Sequence, residues 1–180
     1  DMIYNMMTEL VKGYGSKLEV LIDRESDKFD EKENSYIWDS YYGIADDKSI
    51  LEILNDYHDL IFHDGKNVLM IKMFESDKYF AFDEHGILYV YNQPKFEDYL
   101  EDYDFMEVFS DYYTIIYFGH WHYMEKNAEE DIQKLIKYLN LKKLLVIANS
   151  PYSSDMLIRE HGIQSHKVIP FGILPDDFIR

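Results

Sequence analysis

The chain carries 35 carboxylates, seven histidines and no cysteine, and only a few short segments set such groups where chemistry could be organised. Gly119-His120-Trp121-His122 follows the apolar run Thr114–Phe118. Two imidazoles at the end of a strand could ligate a metal ion, and Asp56-Tyr57-His58 offers a further Asp-x-His pair. A two-metal centre, however, needs bridging carboxylates and Asn or His ligands on intermediate loops, and no Gly-Asp or Gly-Asn-His segment supplies them. The sequence therefore points to no metal. The plainer alternative is that one of His120 and His122 packs while the other faces solvent. Ser150, in Asn149-Ser150-Pro151, lacks the Gly-x-Ser-x-Gly elbow of an activated nucleophile, and a strand-to-helix turn with Pro near the helix start explains it. His161 and His166 bracket Gly162 and read as surface residues near a helix end. Carboxylates are so numerous that close pairs arise by chance.

The elements that must position these groups read as a continuous α/β unit. A strand (Thr114–Phe118) leads through the Gly-His-Trp-His turn to a helix (Asn127–Leu139). A second strand (Leu144–Ala148), a second helix (Ser153–His161) and a third strand (Lys167–Phe171) precede Gly172. Asn127 and Glu130 have capping-box spacing, and Ile132, Leu135, Ile136 and Leu139 fall on one helical face. Leu144–Ala148 is an unbroken apolar run, suited to a strand buried on both faces. Strands joined by helices of this length predict parallel pairing with a right-handed crossover, and open parallel sheets bind ligands at their carboxyl ends.

Residues Asn149–Ile158, His161-Gly162-Ile163, Lys167-Val168-Ile169-Pro170-Phe171-Gly172-Ile173 and Phe178 resemble the segment that closes the amino-terminal domain of retaining glycosyltransferases of the GT-B type, which have two Rossmann-like halves. The resemblance covers about a third of the chain, with a shortened spacer before Pro170 and Leu174 where the family usually has Asp. It implies that His120, His122, Ser150 and Gly172 line a substrate-binding cleft, with Gly172 at the hinge. It also implies a nucleotide-sugar donor held mainly by a carboxyl-terminal half that this chain lacks, so that the chain alone binds no cofactor and does not turn over. Gly119-His120-Trp121-His122 also resembles the closing motif of metal-dependent phosphoesterases, whose other motifs are missing.

Charge supports a different class of function. Eighteen Lys and Arg against 35 Asp and Glu give a formal net charge of −17. Residues 131–180 are nearly neutral, so the first 130 hold the acidity. Such a surface opposes direct contact with nucleic acid and with anionic membranes, and favours a basic protein target through fast, salt-sensitive association. The alternative to a glycosyltransferase half is therefore a small acidic inhibitor or nucleic-acid mimic of the anti-defence kind (anti-CRISPR or anti-restriction) or of the toxin-immunity kind, blocking a basic groove on a partner. The bland counterpart is a merely solvated surface. Absence of cysteine suits a reducing cytoplasm, and no signal peptide or membrane-spanning run is readable.

Upstream, Met2–Val11 reads as a helix ended by Gly13 and Gly15, and Lys17–Asp23 as a strand. Asp23–Asn34 reads as a charge-rich loop, and Ile50, Leu51, Ile53, Leu54 and Tyr57 as one face of a short helix. Leu60–Phe62, Val68–Phe74, Tyr79–Phe82 and Ile87–Tyr91 are strand-like runs broken by turn residues, an antiparallel meander. A helix is expected over Lys95–Phe109. The expectation is one domain over residues 1–180: a Rossmann-like parallel α/β sheet with helices over 114–180, carrying an antiparallel β-meander insertion over about 60–92.

Overall fold

The structure, a computed structural model, describes residues 2–32, 34–92, 107–109, 113–117, 126–144, 147–148, 152, 155–156, 159 and 167–168. The chain divides into two compact units, Asp1–Lys143 and Leu144–Arg180.

In the first unit, helix α1 spans Met2–Tyr14 because Met6, Met7, Leu10, Val11 and Tyr14 recur at three- and four-residue spacing, and all are buried. It runs through Gly13 and stops at Gly15, whose φ of 87° is left-handed, a conformation that disfavours a side chain. Strands β1 (Leu18–Asp30) and β2 (Ser35–Ala45) form a long hairpin. Helix α2 (Asp47–Asp56) starts at Asp46, whose carboxylate accepts a hydrogen bond from the Ser49 N–H at 2.7 Å. That bond lowers the Asp46 pKa. Helix α3 (His58–Phe62) follows, then strands β3 (Asn67–Met73), β4 (Tyr79–Phe82) and β5 (Ile87–Tyr91). Strands β6 (Glu107–Phe109) and β7 (Tyr113–Tyr117), helix α4 (Ala128–Tyr138) and strand β8 (Lys142–Lys143) complete the unit.

Among the described residues, these eight strands form one sheet in the order β6-β7-β5-β4-β3-β1-β2-β8, and each neighbouring pair is antiparallel. Side chains alternate along each strand, so one face receives Leu18, Val20 and Ile22 of β1, Leu69 and Ile71 of β3, Phe80 and Phe82 of β4, and Leu88 and Val90 of β5, all buried. This set joins a single core with the buried residues of α1, Ile50, Ile53 and Leu54 of α2, Leu60 and Ile61 of α3, and Ile132, Leu135 and Ile136 of α4. Each such aliphatic or aromatic side chain contributes roughly 1.5–3 kcal/mol of transfer free energy. Gly43 on β2 lies close under Leu141: a Cβ there would stand 2.7 Å from Leu141 Cδ2, so that side chain would have to shift to admit one.

This architecture overturns the parallel Rossmann-like α/β sheet. The meander over Asn67–Tyr91 forms as expected, but the strand meant to open the parallel unit joins the meander. Strand β7 pairs antiparallel with β5, Ile87 opposite Tyr117 and Tyr91 opposite Tyr113. The chain then passes through α4 to β8, which pairs antiparallel with β2 near the other end of the strand order. Helix α4 is thus a cover on the sheet, not a crossover between parallel neighbours. An apolar run encodes burial but carries no sign for strand direction, and the free edge of β5 was available to β7. Among the described residues, parallel pairing survives only in the second unit, where β9 (Ile147–Ala148) pairs with β10 (Lys167–Val168). Tyr152, Asp155, Met156 and Arg159 between them are helical.

Smaller expectations also change. Residues 23–30 are strand and turn Asp23–Asn34 into half of a hairpin. Leu60–Phe62 is the end of a helix, because Ile61 N and His63 N bond the carbonyls of Tyr57 and Asp59 at 2.9 and 3.0 Å. Residues 107–109 are strand, and the rest of the helix expected over Lys95–Phe109 lies outside the described residues. Asn127 precedes α4 without a side-chain cap bond. Acidic Glu129, Glu130 and Asp131 in the first turn favour that helix through its dipole instead.

Candidate functional site

His120, His122, Ser150 and Gly172 lie outside the described residues, as do His161 and His166. Of the other groups singled out from sequence, Asp56 closes α2 and accepts a hydrogen bond from Asn55 Nδ2 at 2.8 Å, whereas the carboxylate beside His58 is that of Asp59.

The first unit contains a buried polar cluster that sequence did not flag. Arg24, Asp64 and Asn67 are 7%, 4% and 6% exposed. The Arg24 guanidinium donates to Asp64 Oδ2 and Asn67 Oδ1, both at 2.8 Å, and to Glu129 Oε2 at 3.3 Å. Asn67 Nδ2 donates to Asp64 Oδ2 at 2.9 Å and to the Leu60 carbonyl at 3.1 Å. Strands β1 and β3, the α3–β3 turn and α4 are thereby tied at one point. Its buried donors and acceptors face one another, so the cluster works as a staple. No local motif could have announced it, because its members are up to 105 positions apart.

Beyond Arg24 the hairpin leaves the sheet. Strand β3 pairs with β1 only as far as Arg24 opposite Asn67, while β1 and β2 continue to Asp30 opposite Ser35. Between the pairs Glu25–Trp38 and Phe29–Tyr36, three residues of β1 stand opposite Ile37 alone. A bulge of this kind twists a ribbon and re-aims its side chains. Asp27, Lys28 and Phe29 are exposed as a result. Phe29 and Tyr36, 49% and 47% exposed, meet edge to face with ring centroids 5.2 Å apart. In sequence, acidic Asp27, Asp30 and Glu31 flank Phe29, with Lys28 and Lys32 interspersed. Lys66 braces the base of the ribbon at 3.1 Å from Asp27 and 3.9 Å from Glu25. The legible signal was the alternation of Tyr36, Trp38, Ser40 and Tyr42 in an aromatic-rich run, which suits a strand.

On the sheet face opposite the helices, Asp23 hydrogen-bonds Ser40, yet its Oδ1 is buried without a partner. Burial raises the Asp23 pKa, and the Ser40 bond only partly offsets this. Nearby, Lys72 bonds Glu19 at 2.8 Å. Burial, with Glu19 beside it, raises the Tyr42 pKa. Tyr79 and Tyr91 stack across β4 and β5 at 4.9 Å.

Two clusters carry donors suited to a metal: His58-Asp59-His63, and Asp83-Glu84-His85 in the β4–β5 turn. In the second, Asp83 accepts from the N–H groups of His85 and Ile87 at 3.0 and 2.8 Å and from the Tyr89 hydroxyl at 3.2 Å. Its carboxylate is thus committed to shaping the turn. Comparison of the chain with protein-family models, curated proteins and solved structures finds no match.

Proposed function

We propose that this chain is an acidic binding protein that blocks a basic groove on a partner protein, with the distal β1–β2 ribbon as its contact arm. One observation carries the reading: the Phe29–Tyr36 pair stands exposed on a ribbon that runs past the last pairing of β1 with β3. Aromatic side chains supply binding energy once desolvated by a partner, and surrounding charges steer encounter and reject partners of like sign. The net charge of −17 extends that steering beyond the ribbon. Defence nucleases and basic toxins are the partner classes this chemistry fits, with the chain acting as their inhibitor or immunity protein. A reducing compartment such as the cytoplasm suits a chain without cysteine. No helix among the described residues is long and apolar enough to cross a membrane.

The test is capture of basic nucleases by the immobilised chain at about 50 mM and about 500 mM salt, between which the screening length falls severalfold. Retention at low salt that is lost at high salt is expected. Salt-independent capture, or none across the panel, contradicts the proposal.

A second reading, the acceptor-side half of a nucleotide-sugar-dependent glycosyltransferase, retains one supporting observation: the parallel pairing of β9 with β10. It expects nucleotide-sugar turnover only when a companion carboxyl-terminal half is added. Turnover by this chain alone would contradict it.

A further inference from the structure

We propose that His58, Asp59 and His63 form a binding site for a divalent transition-metal ion of the zinc class. One donor atom from each side chain lies within 4.8 Å of the other two, and His58 Nδ1 is already 3.4 Å from Asp59 Oδ1. Ligands bound to tetrahedral zinc at about 2.0–2.1 Å sit about 3.3 Å from one another, so small side-chain rotations close this set around an ion. Two imidazoles and one carboxylate favour zinc, copper or nickel over magnesium or calcium, which prefer all-oxygen shells.

The backbone provides the arrangement. The His63 N–H bonds the Asp59 carbonyl at 3.0 Å, closing an α-turn that stacks positions 59 and 63 on one side. His58, at the start of α3, reaches the same side: its ring lies 5.4 Å from that of His63. The His58 ring also contacts Phe62 at 4.9 Å and Tyr4 of α1 at 5.9 Å, and Phe62 packs on Phe82 of the sheet at 5.5 Å. These contacts restrict the ring before any ion arrives, which reduces the ordering cost of ligation. Asp59 and His63 are exposed and His58 is half-buried, so an ion can enter from solvent. Three protein ligands leave at least one coordination position for water or for a group on a partner. The acidic character of the chain concentrates cations around it. The Asp83 cluster differs on the decisive points, with a single imidazole and a carboxylate held by its own turn.

Calorimetric titration of the full chain with zinc chloride tests the site, with cobalt(II) as a second probe whose absorption bands report coordination by nitrogen and oxygen. One ion per chain is expected, bound about tenfold or more weakly by His63→Ala and by Asp59→Asn. Both residues are exposed, so unchanged melting temperatures should accompany the loss. His85→Ala should bind as the wild type does. Absence of stoichiometric binding overturns the proposal. So does wild-type affinity in His63→Ala, which would place the ion on other histidines, or loss of binding in His85→Ala.

Discussion

The two halves of the β1–β2 hairpin are built from the same pair of strands and do different work. In the half nearer the helices, residues 18–24 of β1 pair with β3 on one side and β2 on the other, and their inward side chains enter the core. In the far half, residues 25–30 and 35–38 pair with one another, with one further backbone bond from the Glu25 N–H to the Lys66 carbonyl at 2.9 Å; Phe29 and Tyr36 face solvent, while Ile37 and Trp38 are half-buried. Arg24 stands at the boundary, the last inward residue before the ribbon departs. Continuous backbone pairing therefore says little about where stability resides. Burial on the sheet's helical face decides it, and the ribbon is left free to present its side chains.

The sharpest challenge to that division is at the boundary. Arg24→Ala would leave Asp64 buried without its cation and should cost about 3–5 kcal/mol, read from urea denaturation. An Arg24→Met, Asp64→Leu pair should recover much of that loss, because no orphaned charge remains. Within the near half, Leu18→Ala should cost about 2–5 kcal/mol through lost burial and the cavity it leaves.

Asp23 tests the other face of the same strand. Its folded pKa lies above the ordinary carboxylate value, so the ionised form opposes folding at neutral pH. That cost fades as pH falls through the raised folded pKa and the group protonates. Asp23→Asn should therefore stabilise the chain at neutral pH, with the gain shrinking in acid. A pH series of melting temperatures on both proteins checks the sign. In the far half, Phe29→Ala should change stability by no more than about 1 kcal/mol, the scale of one exposed cross-strand aromatic pair.

Legibility from sequence followed the same division. Helix α1, helix α2 and the meander strands were readable because their apolar spacing matches a period that burial enforces. The ribbon was not, since residues 25–32 have no buried face and residues 25–34 no apolar period. Strand direction was misread in the tail for a related reason: residues 113–117 announce burial but not a neighbour. Their antiparallel partner, β5, lies upstream in the meander, and the parallel pairing inferred for the tail is confined to β9 and β10. The residues expected to line a cleft, His120, His122, Ser150 and Gly172, lie outside the described residues, and the metal-competent trio at 58, 59 and 63 emerged only once α3 proved helical.

The most direct test of the central claim pairs wild type with a Phe29→Ser, Tyr36→Ser double variant, measuring both melting temperature and capture of a basic partner at low salt. Near-wild-type melting with capture lost is the expected outcome. Equal capture by the two proteins, or a collapse in melting temperature with the substitutions, would contradict a ribbon that binds without holding the fold together.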